Sequence, residues 1–172
     1  MEGPTGEASL RAFMGLLPPA PRMRVVEFTQ GRTELDSGRV AGMETIFEQV
    51  TGQSPAITLD HARSDAVAYA DRSLSGIWCG RPRTFTAARD AWAALEGFHR
   101  ALTPHGALHL DMDRPRWESA ETADELLGIL RTTGFRTEQV DCAPTRIRVL
   151  AMKTWRCCDD GPRQFHDTHA VW

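Results

Sequence analysis

The chain has 172 residues, a formal charge of -3 and a sequence pI near 6.1. That length fits one domain able to bury about two thirds of the surface its unfolded chain exposes. The slight acidity speaks against nucleic acid as a partner, and no apolar run approaches the ~20 residues that a membrane helix needs.

In chain order, Ser9 to Leu17 sets Leu10, Phe13, Met14 and Leu17 on one helical stripe, with Ser9 as N-cap and Pro18-Pro19 as a stop. The opening MEGPTGEASLRAF lacks a basic segment followed by an apolar one, so a cytoplasmic protein is expected. After the turn Ala20-Pro21-Arg22, Met23 to Phe28 reads as a buried strand. Asp36 to Gln49 reads as a helix capped by Asp36 or Ser37, burying Val40, Met43, Phe47 and Val50. Thr51 to Pro55 ends it, and Ala56 to Leu59 is the next strand. Leu74 to Cys79, closed by Gly80, has the unbroken apolar character of a strand buried on both faces.

Ala87 to Leu102 places Ala91, Trp92, Leu95, Phe98 and Leu102 inward at helical spacing, with Arg89, Asp90, Glu96 and Arg100 in water. Pro104-His105-Gly106 stops this helix, Ala107 to Leu110 is a strand, and Asp111 to Trp117 a polar loop. Ser119 to Arg131 is a helix with Thr122 and Glu125 in capping-box spacing and Leu126, Leu127, Ile129 and Leu130 for the core; Thr133-Gly134 closes it. Arg136 to Cys142 and Thr145 to Trp155 are two strands around Ala143-Pro144. One domain over 1–155 is expected, with 156–172 an extension that packs on it or on a partner.

Strand, helix and strand between residues 74 and 110 make a βαβ unit, so the fold class is α/β with a mostly parallel sheet. Ligands of such sheets sit beyond the carboxyl ends of the strands. That rule gathers Glu27 and Gly31 after the first strand, Asp60, His61 and Asp65 after the second, Cys79, Arg81 and Arg83 after the third, and Asp111 and Asp113 after the fourth. Arg81 and Arg83 flank the stiffening Pro82, and an arginine fork suits a carboxylate, phosphate or sulfate, so the expected substrate is anionic or carries an anionic leaving group. Glu27, Gly31 and Cys79 complete the expected substrate contacts. Asp111, Asp113 and Asp65 are the candidate general bases, provided burial or a neighbouring acid raises the one that acts. Cys79, Cys142, Cys157 and Cys158 show neither metal spacing nor a disulfide framework, and no metal site is expected, His166 and His169 included.

The same residues resemble the class I S-adenosylmethionine-dependent methyltransferases. Asp65-Ala66 through Ile77 follows that family's D-A-x-x-L-P-F-x-D-x-S-F-D-x-V, and Arg100 to Leu110 looks like R-V-L-x-P-G-G-x-L-x-L with one glycine replaced by His105. The N-terminal helix, the Pro-rich turn and Met23 to Phe28 stand where the family has R-V-L-D/E-V-G-C-G-T-G, and the last two strands match its closing antiparallel hairpin. The resemblance implies a Rossmann-like sheet and a cofactor lying on the E-x-G-x-G-x-G loop. Glu27 to Thr33 keeps the acid and Gly31 there but replaces the other two glycines by Thr29 and Thr33, whose branched side chains push into the space a nucleoside would fill. Residues 33–65 are also too few for the family's full helix, strand, helix and strand, so one βα unit is missing. With it goes the strand-end acid that would hold the ribose; Glu44 or Asp60 are its only stand-ins.

These departures set the functional expectation: a methyltransferase-like scaffold without a cofactor, turned to small-molecule biosynthesis, as an enzyme or one half of a heteromeric enzyme. Intramolecular displacement, in which an amine or hydroxyl closes a ring by expelling an anionic group, needs only alignment and a base. The alternatives are an S-adenosylmethionine-dependent small-molecule methyltransferase and a non-catalytic partner subunit. A shortened sheet exposes a strand edge or a bare helix-binding face, which calls for a second protein chain as a heterodimer or homodimer partner.

Overall fold

The computed structural model describes residues 4–28, 37–62, 69–80, 88–113 and 122–154. Helix α1 (Pro4–Leu16) leads into strand β1 (Arg22–Phe28), followed by α2 (Ser37–Thr51), β2 (Ala56–Ala62), β3 (Leu74–Gly80), α3 (Ala88–Ala101), β4 (Leu102–Asp113), α4 (Thr122–Thr132), β5 (Phe135–Cys142) and β6 (Arg146–Lys153). They build one six-stranded sheet in the order β2-β1-β3-β4-β6-β5. The first four strands are mutually parallel; β6 runs antiparallel to both β4 and β5. This is the expected α/β sheet with its closing hairpin, one βα unit short: β2 lies at the edge, and only residues 63–73 separate it from β3 in sequence, too few for a further helix and strand.

Side chains alternate along each strand, so the sheet has two unlike faces. Against α3 and α4 lie Val26, Phe28, Ile77, Cys79, Leu108, Leu110, Ile147 and Val149, in one apolar cluster with Leu95, Phe98, Leu126 and Leu130. Against α1 and α2 lie Met23, Val25, Ile57, Leu59, Trp78, Ala107 and Leu150, packed with Phe13, Met14, Met43 and Phe47. Gly76 lets α1 approach this closely: a Cβ there would sit 2.6 Å from Leu17 Cδ2 and 2.7 Å from Phe13 Cζ.

Several expectations shift. Helix α1 begins at Pro4, whose fixed φ suits a first helical turn, so Ser9 lies within the helix and is not its cap. Trp92 is 37% and Val50 41% exposed, because the buried stripes of α3 and α2 are narrower than the spacing suggests. Strand β2 runs on through Asp60 and His61, and β4 starts at Leu102 and continues to Asp113. Pro104-His105-Gly106 therefore belongs to β4. His105 there takes φ +61°, the left-handed conformation that glycine adopts most easily, at the position where the family motif has one. Gly134, at φ +92°, ends α4 as expected.

The strip left uncovered by the shortened sheet is polar. On the α3/α4 face, Arg24 and Thr58 are exposed and Asp60 half-buried; Arg24 Nε donates to Asp60 Oδ2 at 2.6 Å, and its guanidinium lies 5.4 Å from the ring centroid of Tyr69. Among the described residues the missing unit thus leaves no apolar face there. Lys153, the single lysine, is buried at the carboxyl end of α3, where its Nζ donates to the carbonyls of His99 (2.7 Å) and Leu102 (2.9 Å). No described helix is long and apolar enough to cross a membrane.

Candidate functional site

The parallel strands end together, and one residue from each strand of the sheet falls in a single cross-strand row. Glu27 pairs in register with His61 on one side and Trp78 on the other; Trp78 pairs with His109, His109 with Leu150, and Leu150 with Gln139. All six point to the α1/α2 face. The sequence hides this row, because register between strands leaves no trace in spacing along the chain.

At one end stand Glu27, Arg39 and His61. Arg39 reaches down from α2, and its Nη2 donates to Glu27 Oε1 at 3.1 Å, both side chains being largely buried. Nδ1 of the buried His61 ring lies 3.8 Å from Glu27 Oε2, too far for a hydrogen bond, and neither ring nitrogen has a hydrogen-bond partner among the described residues. The Arg39 guanidinium carbon also lies 5.8 Å from the Trp78 ring centroid.

In the middle, Trp78 and His109 stack with centroids 3.7 Å apart and planes 9° from parallel, and Phe13 of α1 meets both rings edge-on. His109 is 3% exposed and both its nitrogens lack a partner among the described residues. Burial lowers its pKa to about 4; Asp111 opposes that shift, and Arg148, Arg146 and Arg39 add to it. At neutral pH this imidazole is uncharged.

At the far end Asp111 is held by two arginines of β6. Arg146 grips it with Nε and Nη2, one to each carboxylate oxygen, and Arg148 Nε stands 3.5 Å from Oδ2. The fork raises the pKa of Arg146, the hydrogen bond to Asp111 being the main cause. Arg148 also reaches Asp141 Oδ2 at 3.5 Å.

The expected site residues fall out as follows. Glu27 and Asp111 stand at the carboxyl ends of their strands as anticipated, each already ion-paired. Asp111 as a general base meets a physical obstacle, since a bidentate arginine occupies both its oxygens. Asp113 is exposed at the end of β4 and makes no ion pair among the described residues. Cys79 needs correcting: it faces the α3/α4 core, fully buried, and burial pushes its thiol up to about 12, so it neither lines the crevice nor offers a thiolate. Gly31, Asp65, Arg81 and Arg83 lie outside the described residues. Among the described residues no three His, Cys, Asp or Glu gather to hold a metal.

Sequence reasoning missed Arg39, His109, Arg146 and Arg148. A signal existed for three of them: a histidine inside the buried run Ala107 to Leu110, and two arginines at alternate positions of a strand. Nothing in the sequence ties Arg39 to Glu27.

The fit of an S-adenosyl nucleoside can be judged from the acids meant to face it. Glu44 lies on α2, not on a strand, and its Oε1 accepts the Ile57 N–H at 3.0 Å. Asp60 points to the opposite face of the sheet from Glu27 and is taken by Arg24. Neither stand-in for the ribose acid is placed to serve, and one carboxylate oxygen of Glu27 is taken by Arg39. The described residues do not fit that cofactor.

No family model matches the chain, and no curated protein matches it. Solved structures do. The cyclase SpnF superposes with a TM-score of 0.56 at 12% identity, over 87% of this chain and 81% of its own. A TehB-like S-adenosylmethionine-dependent methyltransferase from Corynebacterium glutamicum gives 0.54 at 17% identity, over 87% and 88%. A further S-adenosylmethionine-dependent methyltransferase, from Methanosarcina mazei, gives 0.52 at 10%, over 80% and 95%. With its parallel strands, closing hairpin and these structural neighbours, the chain has the class I methyltransferase-like fold, in a divergent and shortened form.

Proposed function

We propose that this chain uses the methyltransferase fold for a reaction other than methyl transfer, acting in the cytoplasm on a small molecule of specialised metabolism, alone or as one half of a heteromeric enzyme. The observation that carries the reading is the ion pair between Glu27 and Arg39, which presents the acid at the end of β1 as a neutralised pair. Thr29 and Thr33 in place of two loop glycines point the same way, and so does Asp60 turned to the far face. That a cyclase shares the fold supports the view that this scaffold hosts chemistry besides methylation.

The chemistry in best accord with these residues is an intramolecular displacement. An amine or hydroxyl of the substrate attacks a carbon within the same molecule, the new ring bond forms as the bond to an anionic leaving group breaks, and a carboxylate takes the nucleophile's proton. Asp113 is the acid on β4 that no arginine bridges among the described residues, with Arg146 as its cross-strand neighbour; Asp65 is the other candidate, and Arg81 with Arg83 would receive the departing anion. Titration calorimetry with S-adenosylmethionine and S-adenosylhomocysteine tests the reading. No heat of binding is expected up to about millimolar ligand. Binding of either at micromolar concentration, or passage of a labelled methyl group to an acceptor, would overturn it.

A further inference from the structure

The two edges of the sheet differ. At β2 the chain is shut in, Ile57 and Leu59 being buried whole. At β5 every residue from Arg136 to Cys142 is exposed, and no described strand pairs with its outer side. We propose that the outer edge of β5 is the interface between two copies of this chain, paired antiparallel about a twofold axis so that one continuous sheet runs through both.

The backbone decides which groups this edge offers. Ala143 and Arg146 exchange hydrogen bonds at one end of the β5–β6 hairpin (2.8 and 3.3 Å), and at the other end the Thr154 N–H donates to the Gly134 carbonyl at 2.9 Å. Alternation from both ends then turns the N–H and C=O of Phe135, Thr137, Val140 and Cys142 away from β6. The register break between Thr137 and Gln139 adds one residue to β5, so Thr137 and Val140 are spaced like Ala151 and Val149, their partners on β6. Seen from outside, the free groups stand two and two about this bulge, a pattern unchanged when the strand is reversed. In the antiparallel pair, Thr137 of each copy meets Val140 of the other, and each such pair exchanges two backbone hydrogen bonds.

The side chains obey the same symmetry. Arg136 and Asp141 share the face opposite to Thr137 and Val140, and each Arg136 falls across from Asp141 of the second copy. Both are largely in water within one copy; Arg136 meets Glu138 at 2.7 Å, and Asp141 has only Arg148, at 3.5 Å, among the described residues. On the other face the exposed Val140 comes against the second copy's Thr137. Bulges and charges ordinarily keep an edge from joining another chain. Here the bulge lies on the axis and the charges attract on reversal, which favours a second copy over an unrelated strand.

This interface is independent of the chemistry proposed above, since a chain that did methylate would carry the same edge. The test is sedimentation equilibrium of the full chain from about 1 to about 500 µM. One strand edge is a small contact, so a dimer with a Kd of about 10 to 100 µM is expected. Val140→Pro removes an N–H that points away from β6 and should leave a folded monomer. Asp141→Arg and Arg136→Asp each set like charges across the axis and should weaken self-association at least about tenfold. Mixed in equal amounts, these two variants place every arginine opposite an aspartate, and the mixed dimer should come within about threefold of the wild-type Kd. A chain monomeric over the whole range, a dimer unchanged by Val140→Pro, or a mixture no tighter than its two components would each overturn the proposal. Should Val140→Pro fail to fold, the mixture decides, because a hairpin damaged by its own substitution is not rescued by a second chain.

Discussion

The two faces of one sheet have been built to different ends. Toward α3 and α4 the strands offer mostly apolar side chains where a helix covers them, Lys153 beneath the end of α3 being an exception, and Cys79 is silenced by burial. Toward α1 and α2 the same strands carry Glu27, His61, His109 and Asp111, with Arg39 and Arg148 drawn in to meet the acids. Polar groups under a helix layer cost stability unless they are paired, and two imidazoles there are not. Proteins concentrate such departures at functional sites, which makes the α1/α2 face the one to probe for function, although both faces bury an apolar core.

If that division is right, the largest effect should come from the closed face. Leu108→Ala, at a fully buried position, should cost roughly 3–4 kcal/mol in denaturant unfolding, and a loss under about 1 kcal/mol would show that this face is not the tightly packed one. Next comes acid. The folded-state pKa of His109 lies below the unfolded value, so the unfolded chain binds a proton that the native one refuses. Its contribution is complete above pH 6.5 and lost as pH falls through about 4, at most about 3 kcal/mol. The difference in unfolding free energy between the wild type and His109→Phe should therefore change over that window, and a constant difference would remove His109 from the account. Smallest is Arg24→Ala at the uncovered edge, where both partners of the ion pair are partly in water; less than about 1 kcal/mol should be lost, and a larger cost would mean the strip is covered by something in solution.

The strands and helices were largely legible, because apolar runs and helical stripes are local signals: Met23 to Phe28, Leu74 to Cys79 and the final hairpin fall where the pattern puts them. Errors arose where tertiary context decides. The Pro104-His105-Gly106 stretch reads as a break, yet it sits within β4 because His105 tolerates the left-handed turn. Trp92 fits a buried stripe by spacing and is left outside by its neighbours. Of the site, strand-end logic found Glu27 and Asp111, since both depend only on where a strand stops. It could not find their arginines, which arrive from α2 and β6 by register and crossing, quantities that no single segment encodes.

Lys153 has a practical corollary. Within these 172 residues it is the only side-chain primary amine, and it is walled in beneath the end of α3 with two carbonyls on its nitrogen. Acylating dyes, amine crosslinkers and enzymes that tag lysine find no such side chain on the folded molecule's surface. Labelling at that position would instead count the fraction of molecules that have come open, a built-in clock for unfolding.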